Sequence, residues 1–101
     1  MNSQAKTKEY DQVMVYGAAW CENTTHVRRL LTDWGIDYHY IDIDNDGHAL
    51  RKVARWSFGK LVTPAVSIGV LENPRLLGPK DAELHAMLFD RVKTRTSPFI
   101  L

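Results

Sequence analysis

Cysteine is all but missing from this chain: Cys21 stands alone among 101 residues. One cysteine excludes an internal disulfide framework and any multi-cysteine metal centre. An excess of charge of either sign is missing too, since thirteen basic and twelve acidic residues leave a formal net charge of +1. That balance supplies no strong pull toward nucleic acid or an anionic membrane surface. No apolar run approaches the roughly 20 residues that a membrane-spanning helix needs. The polar start, MNSQAKTKEYDQ, lacks the apolar stretch of a secretory signal. Repeats, low-complexity tracts and linkers are absent. The expectations are a reduced, cytoplasmic setting, a monomer, and neither nucleic-acid nor membrane partners. What is present, 45% apolar and 25% charged residues, suits one globular core and one domain.

Residues 1–10 are polar and are expected to form a flexible lead-in, with the domain at 11–96 and a tail at 97–101. Val13-Met14-Val15-Tyr16 is a continuous apolar run closed by Gly17, the pattern of a strand buried on both faces. Val27, Leu30, Leu31 and Trp34 then recur as one helical stripe, ended by Gly35. Tyr38 to Ile43 is rich in aromatic and β-branched residues and reads as a second strand. A turn at 44–47 places Asp46 as an N-cap. The next helix is expected to turn Leu50, Val53 and Ala54 inward and Arg51, Lys52 and Arg55 to water, and to end at Gly59. Ala65 to Ile68 and Arg75 to Leu77 form a hairpin around Gly69–Asn73. Pro79 opens a last helix with Leu84, Leu88 and Val92 along one face, stopped at Ser97-Pro98. The order β-α-β-α-β-β-α implies a four-stranded mixed sheet with helices on both faces: the first two strands parallel, the last two antiparallel.

Two motifs offer chemistry that their context denies. Asp42-Ile-Asp-Asn-Asp-Gly47 begins like a calcium loop, but the twelfth position is Val53, where a bidentate Glu is required. His26, His39, His48 and His85 form no pair at metal-ligand spacing, and no bound metal is expected. Arg28 and Arg29 read as a solvated helix face.

Cys21 is the one residue with distinct reactivity. It opens the first helix, where unpaired N–H groups and the helix dipole favour a thiolate. Three landmarks, Tyr16-Gly-Ala-Ala-Trp-Cys21, Val62-Thr63-Pro64 and Leu77-Gly78-Pro79-Lys80-Asp81, fall on the junctions of the predicted elements. Over residues 11 to 93 this arrangement resembles the glutaredoxin branch of the thioredoxin-like fold, and most closely its single-cysteine members. The resemblance implies a thiol–disulfide oxidoreductase with glutathione or a similar low-molecular-weight thiol as co-substrate. Cys21 would be its nucleophile, and Thr24 would stand where dithiol members carry a second cysteine. Trp20, Lys60, Thr63, Pro64, Gly78 and Asp81 would then line the ligand groove.

Under that resemblance the Thr63–Pro64 bond is cis, and the Thr63 backbone pairs with the cysteinyl part of the ligand. Asp81 holds its γ-glutamyl amine, and Lys60 faces its glycyl carboxylate. Asp81 reads equally well as a first-turn helix acid, and Lys60 as a solvated loop lysine. Glu22 departs from the family's proline or glycine. Its carboxylate is expected to raise the thiol pKa while suiting the helix dipole. A basic residue shortly before the cysteine is also missing, since Gly17 and Ala18 stand there. Two further functions stay open: a non-catalytic binding module, and an iron–sulfur carrier in which two chains each lend a cysteine. Glu22 and Asn23 replace the compact neutral loop of such carriers.

Overall fold

The computed structural model describes residues 12–91. The expected lead-in at 1–10, the tail at 97–101 and Val92 lie outside them. Strand β1 (Val13–Gly17) leads into helix α1 (Glu22–Asp33), strand β2 (His39–Asp42), a 3-10 turn (Ile43–Asn45) and helix α2 (Gly47–Trp56). Strands β3 (Ala65–Ile68) and β4 (Arg75–Leu77) and helix α3 (Asp81–Arg91) complete the order. The sheet runs β2-β1-β3-β4. β1 is parallel to β2 and antiparallel to β3, with Val15 opposite Tyr40 on one side and Val66 on the other. β3 and β4 pair antiparallel. This is the four-stranded mixed sheet that the element order implied, in the thioredoxin-like arrangement that the resemblance implied.

Alternation along β1 divides the core. Val13 and Val15 face Val27 and Leu31 of α1 and Leu84 and Leu88 of α3. Tyr16 faces the other way, onto Ala49 and Val53 of α2. Side chains thus leave the central strand on both sides, which is why its sequence is apolar without a break. α1 ends in a Schellman motif: Ile36 N–H reaches Leu31 O at 2.9 Å and Gly35 N–H reaches Thr32 O at 3.0 Å. Gly35 supplies the positive φ of +74° that this stop requires. Ile36 and Leu31 share the core cluster, adding the hydrophobic contact that accompanies the motif.

α2 departs from its expected orientation. Ala49 and Val53 are buried, Ala54 is half-buried, and Leu50 is exposed. The inward stripe is rotated because a small residue at 49 lets the helix sit close to the sheet, while Trp56 half-buries against Tyr16 at 5.5 Å between ring centroids. The rotation also takes Lys52 out of water. Its Nζ donates to Glu72 Oε1 at 2.8 Å and to Tyr16 Oη at 3.2 Å. Asp46 caps α2 as expected, accepting from Ala49 N–H at 3.0 Å. The second strand is shorter than predicted because Asp42 turns the chain into the 3-10 helix, accepting from Asp44 N–H and Asn45 Nδ2. Two carboxylates of the calcium-like run, those of Asp42 and Asp46, therefore serve as caps. α3 starts at Asp81 rather than Pro79, and Lys80 N–H donates to Glu83 Oε1 at 2.8 Å. Arg28 is half-buried rather than solvated, with its guanidinium 3.8 Å from the Tyr40 ring centroid. Among the described residues, no helix is long and apolar enough to cross a membrane.

Candidate active site

β1 delivers the chain to the site, and Gly17 makes the delivery possible. A Cβ at position 17 would lie 2.4 Å from Thr24 Cγ2 and 2.5 Å from Thr24 Oγ1. With no side chain there, buried Thr24 presses onto the end of the strand. Its Oγ1 accepts weakly from Ala18 N–H at 3.4 Å. Ala18 O in turn accepts from Cys21 N–H at 3.1 Å, closing the bend that carries Trp20 and Cys21.

Cys21 is the N-cap of α1, in extended backbone conformation. Its carbonyl accepts from Thr24 N–H at 3.0 Å and Thr25 N–H at 3.3 Å, leaving the thiol beside the first turn. The neutral thiol makes no capping bond to that turn. It points instead at Thr63: the Thr63 hydroxyl donates to Sγ at 3.2 Å, and Sγ lies 3.7 Å from Thr63 O. The sulfur is partly exposed, so it is neither sealed in the core nor without partners.

Two opposing effects set its ionisation. Burial pushes the Cys21 thiol up. Hydrogen bonding from the Thr63 and Thr24 hydroxyls and the N–H groups of Thr24 and Asn23 favours the thiolate and outweighs burial, so the thiol falls below its ordinary range. The net direction is thus downward despite the neighbouring Glu22, which is exposed on α1, while the Thr63 hydroxyl donates to the sulfur.

The remaining residues that the resemblance singled out fall into two groups. Thr63–Pro64 is cis, and Pro64 O accepts from Gly78 N–H at 2.8 Å, tying the proline loop to the β4–α3 junction. Gly78 has φ +56°, and a Cβ there would meet Val62 Cγ1 at 3.1 Å. Three residues on, Asp81 reaches back to α1, where His26 Nε2 lies 2.9 Å from Oδ1 and 3.2 Å from Oδ2. Cys21, Thr24, Thr63, Pro64, Gly78 and Asp81 are thus linked through α1 and the proline loop. Trp20 and Lys60 stand apart from that chain of contacts. The Trp20 indole donates to Asp44 Oδ2 at 2.9 Å, and the exposed Lys60 follows the end of α2. Among the described residues, no group of three or more His, Cys, Asp or Glu side chains is placed to hold a metal ion.

The glutaredoxin family profile matches residues 13–70. The chain belongs to the glutaredoxin family. A comparison with curated proteins finds no match. Solved structures agree on the fold. The glutaredoxin from Methanosarcina mazei Go1 is 25% identical with a TM-score of 0.67, over 78% of this chain and 79% of that one. Wheat glutaredoxin is 24% identical with a TM-score of 0.60, over 82% and 84%. A buckwheat glutaredoxin solved as a glutathione complex is 20% identical with a TM-score of 0.63, over 85% and 80%. Within this family member, sequence reasoning missed two features. One is the His26–Asp81 pair. The other is the Tyr16–Lys52–Glu72 cluster, in which the Tyr16 hydroxyl donates to Glu72 Oε2. Partners 55 and 56 residues apart leave no local signal.

Proposed function

We propose that this chain is a monothiol thiol–disulfide oxidoreductase, acting through Cys21 on mixed disulfides of glutathione or a comparable thiol in a reducing compartment such as the cytoplasm. The observation that carries the reading is the Thr63 hydroxyl 3.2 Å from Cys21 Sγ at the start of α1, in a glutaredoxin chain with no second cysteine. The Cys21 thiolate attacks the glutathionyl sulfur of a mixed disulfide. The old S–S bond breaks, the target leaves as a thiolate and takes up a proton, and glutathione stays bonded to Sγ. A second glutathione thiolate attacks the bound glutathionyl sulfur, and oxidised glutathione departs as Cys21 leaves and regains its thiolate. Reduction of an internal disulfide by two cysteines of one chain is excluded. Thr63 and Pro64 beside the sulfur, with Gly78 and Asp81 beyond, would orient the tripeptide for in-line attack. The glutathione complex of the buckwheat relative supports this choice of ligand.

The test is turnover of the mixed disulfide of glutathione and 2-mercaptoethanol, with glutathione as reductant. The chain is expected to accelerate the exchange, and Cys21→Ser to abolish the acceleration. No acceleration by the unmodified chain would sink the proposal and leave a binding module.

A further inference from the structure

Two acids open α3, and they have separate duties. Glu83 turns back to accept from Lys80 N–H at 2.8 Å and so caps the helix. Asp81 is left free of capping. Its carboxylate instead meets His26 across the gap between α3 and α1, with both oxygens within 3.2 Å of the same nitrogen. A carboxylate only accepts, so Nε2 presents its N–H to both oxygens. Both side chains are about half exposed, at 49% for His26 and 59% for Asp81, so the pair stands at the surface where a ligand would arrive.

We propose that His26 is a positioning residue that sets ligand specificity through Asp81, relaxing the groove's demand for a free ammonium group. The inference rests on the oxidoreductase reading above and deepens it. An ammonium approaching Asp81 must share or displace an imidazole N–H that already spans both oxygens. Its gain on binding is the difference between two exposed charge-assisted contacts, which is small. The groove therefore accepts thiol tripeptides whose amine is acylated nearly as well as those whose amine is free. Without the imidazole, the whole carboxylate is open to a cation, and the free amine gains an advantage that the acylated ligand cannot share.

The experiment compares mixed disulfides of 2-mercaptoethanol with glutathione and with N-acetylglutathione, each turned over with its own free thiol. The unmodified chain is expected to show similar KM for the two. His26→Ala is expected to shift the KM ratio about three- to fivefold toward the free amine. Adding Asp81→Asn to His26→Ala is expected to erase that shift, an outcome that a merely structural role for His26 would not produce. A ratio unmoved by His26→Ala, or a shift that survives Asp81→Asn, overturns the inference while the oxidoreductase reading stands. No turnover of either disulfide by the unmodified chain overturns both.

Discussion

At the scale of single residues, the seating of the first turn of α1, which Cys21 caps, rests on Gly17. Gly17 has no side chain, and Thr24 fills the space where one would stand. Gly17→Ala pushes a methyl group into Thr24 and with it the first turn of α1. Overpacking of this kind costs about 1–3 kcal/mol. The expected result is a lower urea midpoint together with slower alkylation of Cys21, because the Thr24 donors lose their aim. Adding Thr24→Ala should recover part of the stability, since the two changes share one space and are not additive. Unchanged stability in Gly17→Ala would show that the strand end can yield. A glycine at the end of an apolar run is legible as a strand boundary, but the close contact across seven residues is not. The sulfur's position was readable because a lone cysteine opened a clear helical stripe. The sequence set two opposed effects on its pKa, a helix start that lowers it and Glu22 that raises it, and the Thr63 hydroxyl that helps to bring it down is adjacent only in space.

At the scale of elements, the turn of the β3–β4 hairpin is fastened to α2 by the Glu72 side chain, alongside Arg75 of β4 over the Trp56 ring. Glu72 sits at the turn with φ +56° and accepts from Lys52 Nζ and Tyr16 Oη. An open cavity of about 270 Å³ is lined by the cluster together with Met14 and Gly69. Burial pushes the Glu72 carboxyl up, but the Lys52 and Tyr16 hydrogen bonds outweigh burial and hold it below its ordinary range. A depressed acid contributes stability above its unfolded pKa and loses it as pH falls through the folded one. Its contribution is therefore full at neutral pH and fades in acid, below the usual glutamate range. Glu72→Gln is expected to lose about 1–3 kcal/mol at pH 7 and to narrow its deficit as pH drops. Thermal unfolding across pH 3–7 checks this, and a deficit constant across that range would contradict it. Nothing in the sequence pointed to the fastening, because an acid in a turn reads as solvated. The rotation of α2 was hidden for a related reason: leucine outranks alanine in any apolar stripe, yet Ala49 is the smaller residue that allows close approach to the sheet.

At the scale of the whole molecule, the order of elements was legible because each junction carries its own punctuation: Gly17, Gly35, Asp46, Pro64 and Gly78. Parallel pairing of β1 with β2 followed from the helix between them. The neighbours of the central strand did not follow, since antiparallel pairing of β1 with β3 depends on distant contacts. That pairing matters for chemistry. It brings the end of β1, with Cys21 after it, level with the start of β3, with Thr63 and Pro64 before it, because Tyr16 lies opposite Ala65. Sheet topology thus places a hydroxyl 42 residues away within reach of the sulfur. The most direct measurement is the pH profile of Cys21 alkylation, with and without S-methylglutathione, in the unmodified chain and in Thr63→Val. The account predicts a midpoint below that of a free thiol, slower alkylation with S-methylglutathione present, and a midpoint moved upward in Thr63→Val. A midpoint at or above the free-thiol range, indifferent to both the ligand and Thr63, would contradict it.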